Sequence, residues 1–203
     1  MKAIPDGWAI VLVGNWNIPL FSPPWISGRL TEAKEIGIEL AFNIPAFKPR
    51  FSFDDVYLTF SDKKLLLKPK VASDELMLRL ETIAARILTD LPHTPVTGLG
   101  INFKFLVENP SGLILDLFKL KDFSNLSDAG VVIKQTNILR KLVIDGKILN
   151  LGILFQEGGT VLIDCNFHNG VKDATDAKDK LIGTTIPLKQ IALGILKTTY
   201  DLE

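Results

Sequence analysis

The chain runs through one succession of elements twice, over residues 1–92 and again over 93–203, and that repetition restricts it to few folds. Each half reads strand, short helix, three-strand meander, long helix. In the first half, Trp8 to Asn15 is the continuous apolar run of a strand covered on both faces. Ser22 at an N-cap and Pro23 at the first helical position predict a short helix to about Leu30. Glu35 to Asn43 alternates, with Ile36, Ile38, Leu40 and Phe42 on one face, as a half-buried strand does. Phe51 to Ser61 and Lys64 to Lys68 form a hairpin around Ser61-Asp62-Lys63. Ser73 caps a long helix that has Asp74 and Glu75 in its first turn, an apolar stripe of Leu76, Leu80, Ile83, Ile87 and Leu91, and a stop at Pro92.

The second half follows suit. Leu99 to Glu108 alternates, Pro110-Ser111-Gly112 leads into a helix from Leu113 to about Phe123, and Val131 to Ile144 and Lys147 to Gln156 flank Asp145-Gly146. That dipeptide supplies the positive φ of a type I′ hairpin turn. Thr160 to His168 is the last strand, and a helical tail breaks near Gly183 and restarts at Pro187 with Leu188, Ile191, Ile195 and Leu196 as its stripe.

Two β-α-β-β-β-α halves predict an α+β fold, a largely antiparallel sheet with its helices packed on one face and the other face open. In this order of elements the chain resembles the two-repeat saddles of TATA-binding-protein-like domains, over most of its length and in topology alone. The resemblance implies a pseudo-two-fold saddle whose open sheet is the working surface. Such saddles that grip DNA carry basic residues and paired aromatic wedges there.

Composition narrows the class. With 203 residues, 47% of them hydrophobic, the chain suits one compact unit of two similar halves. Twenty-three basic residues balance twenty-three acidic ones, so no global field draws the chain to nucleic acid or to an anionic membrane. The lone Cys165 excludes an internal disulfide and fits a reducing compartment. The apolar run at the N-terminus is too short for a secretory signal, and no run approaches the length of a membrane span, so the expected location is the cytoplasm, with no membrane partner.

Catalytic signatures are missing. Asp164 and His168 share a strand face but lie about 13 Å apart along it, too far for an acid–base pair, and Cys165 points the other way. With two histidines and one cysteine the chain offers no such metal cluster, and Asp173, Asp176 and Asp179 lack the rest of a calcium loop. Gly98-Leu99-Gly100 and Gly158-Gly159 precede strands, so neither presents a helix N-terminus to phosphate. No catalytic residue, metal or cofactor is assigned.

Two candidate surfaces remain. Trp16, Phe21 and Trp25, in a proline-rich segment, and Ile44 and Phe47, in a second such loop, are candidate partner-binding residues, because rigid aromatic side chains give large contact area at low entropic cost. Asn102, Lys104, Asp164, Asn166 and His168 alternate onto the polar side of their strands and form a candidate sheet face. The leading expectation is a non-enzymatic interaction or assembly protein that binds a protein partner or itself as a homodimer. A nucleic-acid-binding saddle is the first alternative, less favoured for want of a basic cluster, and a small-ligand binder or enzyme using the polar face of strand 160–168 is the second.

Overall fold

A computed structural model of the chain describes residues 1–33, 35–39, 49–120 and 122–202. The protein is α+β, built on one large antiparallel open sheet. Its strands are β1 (Lys2–Ala3), β2 (Ala9–Gly14), β3 (Gly37–Glu39), β4 (Arg50–Phe53), β5 (Val56–Ser61), β6 (Lys64–Pro69), β7 (Val96–Val107), β8 (Gln135–Ile144), β9 (Lys147–Gln156) and β10 (Val161–Gly170). The sheet order is β3-β4-β5-β6-β2-β7-β10-β9-β8, and β1 pairs with β7 beside that path. The first long strand of each half therefore lies beside the other at the sheet's centre, with Ile10 opposite Ile101 and Leu12 opposite Leu99.

The helices are α1 (Pro23–Arg29), α2 (Asp74–Asp90), α3 (Gly112–Asp116), α4 (Phe123–Asp128), α5 (Ala174–Leu181) and α6 (Thr185–Tyr200). α2 packs on β2 and β6, α5 and α6 pack on β7, and α2 touches both of them. The α2 stripe buries Met77, Leu80, Ile83, Ala84, Ile87 and Leu88. Facing it, the helix side of the sheet buries Ile10, Leu12, Leu65, Leu67, Ile101, Phe103 and their neighbours in one continuous core. Ser73 caps α2 by accepting from the Leu76 amide at 3.2 Å. Tertiary burial does the rest, because an isolated helix of this length is marginal in water.

Several sequence boundaries shift. The single strand expected over Phe51 to Ser61 folds back at Asp54-Asp55, both at positive φ (48° and 59°), into β4 and β5. The helix expected from Leu113 to about Phe123 stops at Asp116 as α3, and α4 begins only at Phe123, where the expected helix was to end, so the apolar count there overstated helix length. β8 begins at Gln135 instead of Val131, and β7 begins at Val96, which places Gly98 and Gly100 inside the strand. Of the strand expected over Glu35 to Asn43, only Gly37–Glu39 is assigned, and residues 40–43 lie outside the described ones. The tail breaks at Gly183 (φ 74°), as its composition predicts, and gives α5 and α6. Asp173 caps α5 through the Asp176 amide at 2.8 Å. The Lys172 amide, and then Lys180, hold the Asp176 carboxyl below its usual value, so two members of that acidic series have local structural roles.

One buried carboxylate ties the halves together on the helix side. Glu81, on α2, is 8% exposed and accepts from the Gly183 amide at 2.6 Å, the Thr185 amide at 3.2 Å and the Thr185 hydroxyl at 2.6 Å. These donors belong to the opening turn of α6, whose amides lack intrahelical acceptors and whose dipole favours a negative charge. Replacing Glu81 with Ala strands these buried donors. A loss of about 3 kcal/mol in urea-denaturation stability is expected, and Glu81→Gln should recover part of it because the amide oxygen still accepts.

The open sheet face as candidate functional site

Strand alternation and register settle which side chains reach the uncovered face. Asn166 of β10 lies directly opposite Asn102 of β7 on one side and Asn150 of β9 on the other. The three amides form a ladder across three strands: Asn150 Nδ2 donates to Asn166 Oδ1 at 3.1 Å, and Asn166 Nδ2 donates to Asn102 Oδ1. Cross-strand pairs of this kind lie about 5 Å apart at Cβ, which suits amide-to-amide contact.

The row beside the ladder holds Lys104 opposite Asp164, with Nζ to Oδ2 at 3.4 Å. Both side chains are partly exposed, so the pair contributes at most about 1 kcal/mol. On the other side, His168 lies opposite Gly100, and the face there is open. A Cβ on Gly98 would meet Val13 Cβ at 3.4 Å and His168 Cε1 at 3.5 Å, ordinary van der Waals contact. A Cβ on Gly152 would likewise be in ordinary contact with Leu139 Cδ2, at 3.4 Å. Asn102, Asn150, Asn166, Asp164, Leu139 and Lys141 border a shallow groove of about 610 Å³.

All five polar residues selected from the sequence fall on this one face, and Asn102 with Asn166 and Lys104 with Asp164 are in direct contact. Sequence reasoning missed Asn150, the third rung. Its signal was present, since it is the lone amide within Leu149-Asn150-Leu151 and alternates out of an apolar strand. Cys165 points to the helix side and is buried. Burial, and secondarily the Asp164 charge, push its thiol up from 9.0 to about 12.

The aromatic segment is a correction. Trp16 and Phe21, selected as docking residues, are 4% and 3% exposed, and Trp25 is half-buried. Phe21 stacks on Phe60 at 4.8 Å and meets Trp25 edge-on at 5.2 Å, while Trp16 Nε1 donates to the Leu12 carbonyl at 3.3 Å. Their large apolar area is spent covering the helix side of β5, because the short α1 lacks surface enough to do so alone. Ile44 and Phe47 lie outside the described residues.

A second concavity of about 760 Å³ lies between α1 and α2, bordered by Arg29, Arg79 and Arg86. Within it Asp54 accepts from Thr31 Oγ1 and pairs with Arg79 at 2.8 Å, which neutralises one of the three guanidinium groups. Among the described residues no group of three or more His, Cys, Asp or Glu could hold a metal ion, and no helix is long and apolar enough to cross a membrane. No protein-family model matches the sequence, and no curated protein matches it.

The ladder and the buried thiol each yield a measurement. Asn166→Ala breaks both rungs and should cost about 1 kcal/mol in chemical denaturation while leaving the sheet's circular dichroism unchanged. A thiol whose folded pKa is raised favours the folded state fully below pH 9, and that contribution is lost as pH rises toward about 12. Cys165 should therefore stay unreactive toward a disulfide reagent at pH 8 in the native protein and react at once in denaturant.

Proposed function

We propose that this is a non-enzymatic interaction protein whose working surface is the uncovered sheet face together with the β8 edge, binding a protein partner or a second copy of itself. The observation that carries this reading is where exposed apolar area collects. Val131, Val132, Leu139 and Val143 are 50%, 70%, 76% and 72% exposed, all within or just before one edge strand. Trp16 and Phe21 are buried and Trp25 half-buried, so that aromatic segment offers little such area. Exposed apolar side chains on the last strand of an open sheet are a recognised site of association.

The same reading takes the scaffold as a pseudo-two-fold saddle, a duplication of residues 1–92 in 93–203. Its support is the strand succession: β2-β6-β5-β4 runs outward from the centre on one side, and β7-β10-β9-β8 does so on the other. Light scattering over a wide concentration range should detect association, with slowed amide exchange in β8 to β10. A strict monomer that co-purifies with no partner ends this reading.

A second reading, a nucleic-acid-binding saddle, is favoured by the distribution of charge. By register, Lys2, Arg50, Lys64, Lys68, Lys104 and Lys141 project from the open face against Glu39 and Asp164, in a chain of zero net charge. The Arg50 guanidinium lies 4.3 Å from the Tyr57 ring centre on that face. Lys68 is in turn 3.8 Å from Asp6, so part of the excess is neutralised. Fluorescence anisotropy with short DNA and RNA at low salt should give binding that weakens steeply as salt rises, and a flat curve removes this alternative.

A further inference from the structure

We infer that β8 takes an extended acidic segment of another protein as one further antiparallel strand, two consecutive carboxylates of that segment facing Arg140 and Lys141. This rests on the protein-partner arm of the reading above and names the partner's chemistry.

β8 is ten residues long, ends the sheet path, and has β9 as its only sheet partner among the described residues. Its outer edge therefore presents backbone donors and acceptors along about 30 Å. Every strand pair among the described residues is antiparallel, so an added strand of that sense continues the existing ladder. An extended segment at such an edge gains affinity from its backbone and selectivity from the side chains it meets on each face. On the open side it meets Leu139 and Val143, 76% and 72% exposed, with Lys141 between them. On the helix side it meets Arg140.

Charge decides what kind of strand fits. No acidic residue occurs between Val131 and Ile144, whereas Arg140 and Lys141 stand side by side within the edge strand, both exposed. Neither is in an ion pair among the described residues. Arg140 Nη1 donates to the Tyr200 hydroxyl at 2.8 Å, which orients the guanidinium and leaves its charge uncompensated. Lys134, just ahead of the strand, differs, since Glu157 already pairs with it at 2.8 Å. No register of β8 against its own copy brings a carboxylate of that strand to Arg140 or Lys141, and the central registers oppose like charges, which is unfavourable. The two cations that reject a second copy therefore select an acidic strand. Set against Leu139, Arg140, Lys141 and Val143 in turn, the fitting partner carries apolar, acidic, acidic and apolar residues.

A Thr/Val nonapeptide with Glu-Glu at its fourth and fifth positions and Val at its second and sixth carries that pattern, and its Lys-Lys twin is the control. Fluorescence anisotropy with the full chain at low salt should show the Glu-Glu peptide binding roughly tenfold or more tighter than the Lys-Lys one. Amide exchange along β8 should slow when the Glu-Glu peptide is bound. Lys141→Glu, at an exposed position, should abolish the preference while circular dichroism and urea stability hold. Binding of neither peptide, equal binding of both, a preference unchanged in Lys141→Glu, or slowed exchange that omits β8 overturns the edge proposal and leaves the open sheet face standing as the working surface. That broader reading fails separately, on a strict monomer that co-purifies with no partner.

Discussion

The pairing of β2 with β7 is the contact on which the rest depends. It joins the two halves through backbone hydrogen bonds and through facing pairs such as Ile10 with Ile101 and Leu12 with Leu99, which point into the helix layer. β2 is buried at every position but Val13, and the residues that reach the open side along this pairing are Ala9, Val11, Val13, Gly98, Gly100 and Asn102. Without this seam, each half would carry a four- or five-stranded sheet with an exposed apolar edge.

On the helix side the seam has a polar counterpart. Glu81 from the first half holds the opening turn of α6 from the second, so α2 and α6 are fixed at one relative position over β2 and β7. Hydrophobic packing alone tolerates small slides between helices, whereas a carboxylate shared by three donors does not. Lys189 of α6 adds a surface link to Asp74, at the start of α2, and lies 5.6 Å from the Trp8 ring centre. These contacts fix the helix layer over the central seam of one face, and the other face is left to the ladder of Asn102, Asn166 and Asn150.

Much of the scaffold was legible in the chain. Alternation located Asn102, Lys104, Asp164, Asn166 and His168 on one side of their strands because a strand's period of two is a local property of the backbone. Asp145-Gly146 and Gly183 marked a turn and a helix break because positive φ disfavours most side chains. The aromatic segment was read less well. Trp16, Phe21 and Trp25 have the same composition whether they cover a core or await a partner, and nothing local separates the two cases. The early end of the helix expected over 113–123 was equally hidden, since Leu and Phe satisfy both a long apolar stripe and short turns against β9, where Phe118 meets Phe155 at 5.3 Å.

The sequence by itself determined most of the elements, the class of fold, and the side of each strand on which its polar residues lie. Those follow from backbone periodicity and from residue types acting over a few positions. Only the tertiary structure decided that Asn150 completes the ladder, that the tryptophans turn inward, and that β8, carrying the exposed Leu139 and Val143, ends the sheet among the described residues. These depend on strand order and register, which bring together residues tens of positions apart, and the free energy that chooses them is spread over the whole buried core.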